Sequence, residues 1–144
     1  MPLIGLHEVK AELNRIIAAT DAASRQIVVD SASLVERLAK KNFEGSHKRG
    51  QPHIGGAFPN VVSGTLKREI TFDPVTQTGP GQYETKGGPR TVYGRRVELG
   101  YAGGSGGRGH QTTRAFPYFV PAVKEAQPQL TEIAAKRYRA AIYR

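Results

Sequence analysis

Residues 98–123 read ELGYAGGSGGRGHQTTRAFPYFVPAV, and the reading of this stretch decides the fold. Within it, Gly104–Gly109 is GSGGRG, a formal match to G-x-G-x-x-G, the turn that cradles a dinucleotide. Such a turn works where a buried strand delivers it into a helix amino terminus, whose free N–H groups hold the phosphates. Here HQTTRAFP follows Gly109, with no apolar helical stripe before its proline. No Gly-Lys-Ser/Thr follows, so a Walker-type loop is missing as well. The stretch reads as a basic glycine-rich tip between two apolar bases, and a parallel nucleotide-binding sheet is not expected.

Working outward, RTVYGRRVELG on the amino-terminal side fits either one helical turn, through Tyr93 and Val97, or alternation through Tyr93, Val97 and Leu99. On the other side Pro121 stands where a helix can begin, because proline needs no donor in the first turn. Val123, Leu130, Ile133, Ala134, Tyr138 and Ala141 continue as a helical stripe, with a kink expected at Pro128. Further upstream, LKREITFDPV reads as a strand, QTGPGQ as a turn and QYETK as the partner strand, an antiparallel hairpin. The first third is helical. Leu6, Val9, Leu13, Ile16 and Ile17 mark one stripe and Ile27, Val28, Leu34, Val35 and Leu38 a second, ending near Asn42. Thr20 and Asp21 carry cap chemistry, so a break is expected between the two. Helix, helix, hairpin, loop, helix makes an α+β domain: amphipathic helices packed on a small antiparallel sheet. With 144 residues, one domain spanning 1–144 is expected, with extended loops at 44–60 and 100–115.

The chain has no cysteine, which excludes disulfides, thiol nucleophiles and cysteine-held metals. No apolar run is long enough to span a membrane, and MPLIGLHEVKAEL lacks the pattern of a secretory leader. His47, His53 and His110 lie in glycine-rich loops and read as solvated side chains rather than metal ligands. Glu69, Asp73, Glu84 and Glu98 show no shared pattern for acid–base work, and VVSGTL lacks the glycines of a nucleophile elbow. Neither an enzyme nor a cofactor is expected. The charge is more informative: 21 Lys and Arg against 12 Asp and Glu give +9. Lys40, Lys41, Lys48 and Arg49 form one basic group, and Lys86, Arg90, Arg95, Arg96, Arg108 and Arg114 another. They are candidate contacts for DNA phosphates or for an acidic neighbouring subunit.

Four pieces, in order, resemble the tail-completion (neck, head–tail joining) proteins of long-tailed bacteriophages. Gly5-Leu6-His7-Glu8-Val9 is similar to the family's G-L-x-E-L opening. Pro59 followed by Ser63-Gly64-Thr65-Leu66-Lys67-Arg68-Glu69-Ile70 is similar to its T-G-x-L-R-x-S-I. Tyr93-Gly94-Arg95-Arg96-Val97-Glu98-Leu99-Gly100 resembles Y-A-x-x-V-E-F-G, and Pro117-Tyr118-Phe119-Val120-Pro121-Ala122-Val123 resembles P-F-L-x-P-A-L. The spacing after Pro59 is one residue longer than in the family, and the glycine–arginine tip replaces a short turn. The resemblance implies a structural virion protein at the head–tail interface, assembled in the host cytoplasm. It implies a ring, of six copies to match a tail tube, that touches neighbouring connector and tail proteins and passing DNA, and no membrane. Tyr93, Val97 and Leu99 are then expected to pack on the helices while Gly100 releases the loop. Phe116, Tyr118 and Phe119, with Pro117 between them, re-anchor it, and Pro121 starts the last helix. A tail terminator capping the tube is the nearest alternative, and a non-specific nucleic-acid-binding protein the alternative from another class.

Overall fold

The structure is a computed structural model that describes residues 4–53, 56–101 and 114–143. Helix α1 (Ile4–Lys41) is followed by a single helical turn, α2 (Thr65–Arg68), and four short strands. These are β1 (Ile70–Phe72), β2 (Thr76–Gly79), β3 (Gln82–Glu84) and β4 (Gly87–Pro89). Helices α3 (Gly94–Leu99) and α4 (Phe119–Ile142) complete the order. The fold is α+β, two long helices with two small antiparallel two-stranded sheets. The domain expected over 1–144 is organised as two compact units. One gathers the chain up to Ser31, Pro74–Thr85 and the part from Pro128 onward; the other gathers Ala32–Asp73 and Lys86–Gln127.

In the first unit α1 runs on without the break expected at Thr20 and Asp21. The Thr20 hydroxyl donates back to the carbonyls of Ile16 and Ile17, so its capping capacity is used inside the helix. Asp21 faces outward to the β2–β3 hairpin. Its carboxylate accepts the Gly81 N–H at 3.1 Å and the Tyr83 hydroxyl at 2.6 Å. The carboxylate holds the Tyr83 phenol above its ordinary pKa, chiefly by accepting that proton. α4 returns along α1: Tyr138 and Ser24 hydroxyls meet at 2.9 Å, and Arg137 donates to Asp30 at 2.7 Å.

The strand pairing differs from expectation. Gln77 faces Tyr83 and Thr76 faces Glu84 about a Pro80-Gly81 turn, so the hairpin begins only after Pro74. β1 pairs instead with β4, Ile70 facing Pro89 and Phe72 facing Gly87. Residues equidistant from a turn are partners, which places QYETK too close to the turn to reach Ile70. Leu66 lies outside the strand because Ser63 and Gly64 start a helical turn, with the Arg68 N–H bound to the Gly64 carbonyl.

The second unit holds the core. Leu34, Val35, Leu38, Ala39, Leu66, Ile70, Tyr118, Ala122 and Ala126 are buried there, whereas the first unit buries only Ala23 among its described apolar residues. α4 continues through Pro128, where a kink was expected; proline leaves the carbonyl four residues back without its helical donor.

Candidate assembly surface

Both bases of the opening stretch lie in the second unit and are tied to each other. The Phe116 N–H donates to the Val97 carbonyl at 2.8 Å. Glu98, on the last turn of α3, turns its carboxylate to the start of α4. It accepts the N–H groups of Tyr118 at 2.8 Å, Phe119 at 2.9 Å and Val120 at 2.9 Å. A helix start leaves its first N–H groups unsatisfied and partly positive, so one carboxylate serves as cap and as counter-charge. Nothing in the sequence pattern singled out Glu98 for this, because its partners lie twenty residues away. Its signal was the Glu of VELG preceding a proline-framed helix start.

Tyr118 is the main anchor and is completely buried. Its ring lies 5.1 Å from that of Phe43, its hydroxyl donates to the Gly94 carbonyl at 3.3 Å, and its carbonyl accepts from Asn42 Nδ2 at 3.0 Å. Burial, with Glu98 and Tyr93 adding, pushes the phenol far above the ordinary tyrosine value. Gly94 admits this packing. A Cβ there would stand 2.7 Å from the Pro89 Cβ, which no real contact allows.

The expected anchors divide. Val97, Phe116, Pro117, Phe119 and Pro121 are half-buried, and the Phe119 ring lies 6.4 Å from Phe72. Tyr93 is 40% exposed and Leu99 62% exposed. On a helix, two residues two positions apart point to nearly opposite sides, so Val97 turns inward and Leu99 outward. Gly100 has φ 75°, a left-handed conformation suited to glycine, and the stretch it was expected to release lies outside the described residues beyond Tyr101.

The basic residues do not form one patch of free charge. Arg90 reaches Asp73 at 2.5 Å, Arg96 lies 4.8 Å over the Tyr101 ring and Arg114 lies 5.6 Å over Phe116. Lys48, Arg49 and Arg95 are exposed, Lys86 is also exposed and is engaged in contact, and Arg108 lies outside the described residues. What the fold does assemble is a groove of about 510 Å³ in the second unit. Phe43, Val61, Leu66, Val97 and Phe116 supply its apolar lining, with Lys67 and Arg114 also along it. His47 and His53 line it too, and both are half-buried. The His53 ring stacks on Phe116 at 4.0 Å, and its Nε2 lies 2.9 Å from the Phe58 carbonyl. The 44–60 segment that carries them is pinned at both ends, Glu44 N–H to the Pro59 carbonyl and Val61 N–H to the Gly45 carbonyl, each at 3.0 Å.

Among the described residues no cluster of three His, Asp or Glu is arranged to hold a metal ion. No described helix is long and apolar enough to cross a membrane. Comparison with family models, with curated proteins and with solved structures returns no match.

Proposed function

We propose that this chain is a structural subunit of a tailed-phage particle, one of a ring of identical copies in the neck that completes the tail and joins it to the head. The observation that carries the reading is the uneven core. One unit is closed around Tyr118, Ile70 and Leu38, while the other leaves Leu6, Val9, Leu13 and Ile17 more than half exposed. Isolated soluble domains rarely leave such a stripe in water, and an assembling subunit covers it on docking. The ordered motifs support the same reading, since Glu98 joins two of them into one structural element. In this role the work is contact and geometry rather than catalysis.

Electron microscopy of lysates from a phage lacking the gene tests it. Filled heads beside separate tails of normal length are expected. Tails of uncontrolled length would make the protein a tail terminator instead, and normal infectious particles would overturn both.

A further inference from the structure

The groove in the second unit and the exposed stripe on α1 are complementary, though both belong to one chain. At 100° per residue, Leu6, Val9, Leu13 and Ile17 share one face of α1, and by the same periodicity Leu34, Val35 and Leu38 lie on that face farther along. There the residues are buried; at the amino-terminal end they are 62%, 56%, 54% and 65% exposed. α4 offers no cover for the first three turns, because it ends at Ile142, whose carbonyl lies 3.5 Å from the Arg15 guanidinium.

Charge indicates what does cover them. Residues 4–18 carry Glu8 and Glu12 against Lys10 and Arg15, a net of zero in a chain of +9. Nucleic acid or an anionic lipid surface finds no attraction there, and another copy meets no like-charge repulsion. Glu12 is held by Arg15 at 2.6 Å, so the stripe is flanked by charges that largely balance on its own helix. The groove offers apolar walls, with Lys67 and Arg114 beside them, that such an apolar, locally neutral face can enter. An amphipathic helix laid in an apolar groove, anchored at three- and four-residue spacing, is a recurrent mode of recognition.

We propose that the Leu6–Ile17 stripe of one copy seats in the Phe43–Val61–Leu66–Val97–Phe116 groove of the next copy. This rests on the ring reading and specifies its contact: two different surfaces meet, so the interaction is heterologous and propagates around a ring.

The absence of cysteine permits a direct test. Val9→Cys and Val62→Cys are made separately in the full chain; Val62 lines the groove and is exposed. Mixed and mildly oxidised, the two variants should form the mixed disulfide at least about tenfold faster than either homodisulfide, because seating raises local concentration. Leu13→Asp, at a solvent-exposed site, should keep the far-ultraviolet helical signal yet abolish both the cross-link and multimers in sedimentation. A homodisulfide of the Val9→Cys variant forming as fast as the mixed one would overturn the proposal in favour of a symmetric pair. Multimers that persist in sedimentation without the mixed disulfide would overturn this seat and leave the ring standing. A monomer at high concentration with no cross-link would overturn both.

Discussion

Glu98 carries more than its place in the sequence suggests, since one carboxylate satisfies three consecutive N–H groups at the start of α4. Removing it in Glu98→Ala exposes those donors and deletes the negative charge at the positive end of the helix. The expected loss is about 2 kcal/mol in urea unfolding, with Glu98→Gln losing less because an acceptor remains. Gly94→Ala adds a methyl against Pro89 and Thr91 and should cost about 1–3 kcal/mol by the same measurement. Tyr118 adds a pH signature. Its folded-state pKa is raised by burial first, so the folded protein keeps that proton longer than the unfolded chain does. Its contribution is complete below about pH 10 and is lost as pH rises beyond, because the unfolded tyrosine ionises first. Of the six tyrosines, the step in tyrosinate absorbance that belongs to Tyr118 should therefore coincide with loss of structure, and Tyr118→Phe should remove that step.

At the level of elements, α1 and α4 in the first unit are joined by polar contacts rather than by a buried seam. Arg137 and Gln26 both donate to Asp30, and the Arg137 hydrogen bond is the main reason its carboxyl sits below the usual range. A lowered carboxylate stabilises the fold above the ordinary aspartate value near pH 4, and this is lost as pH falls through the lowered value. The pair is partly exposed, so the effect is below about 1 kcal/mol. Asp30→Asn should flatten the acid limb of thermal stability, lowering stability slightly at neutral and alkaline pH and leaving it unchanged at the acid end. The helices themselves were legible in the sequence, since their stripes have the right period. Their continuity was not: Thr20 and Asp21 have the chemistry of a cap, and only the hairpin standing opposite Asp21 assigns it another partner. The pairing of β1 with β4 was hidden for a related reason, because Gly87–Pro89 has none of the residues that mark a strand.

For the molecule as a whole, one unit has a buried core and the other buries almost none of its described apolar residues. Apolar spacing announced the α1 stripe, but spacing alone cannot say whether a face is covered by its own chain or by another. The groove was less legible still. Its walls come from Phe43 just beyond α1, the 59–67 segment, Val97 of α3 and Phe116, and His53 reads as loop in the sequence although its ring packs against Phe116. Basic composition is the remaining whole-molecule property. Phosphate contact through the three exposed candidates Lys48, Arg49 and Arg95 alone would give a DNA-binding salt slope of about −3. A slope near about −6, measured by fluorescence anisotropy across a salt series, would instead mark a dedicated nucleic-acid surface.

The hydrogen bond from Phe116 to Val97 has one more consequence, for what can be changed without harm. It ties the residues on either side of the glycine-rich stretch to each other, so the packing beneath is held by contacts outside that stretch. Loop closure depends only logarithmically on length, and doubling such a loop costs about 0.6 kcal/mol. A foreign epitope inserted between Tyr101 and Arg114 is therefore expected to leave the urea-unfolding midpoint close to that of the parent chain.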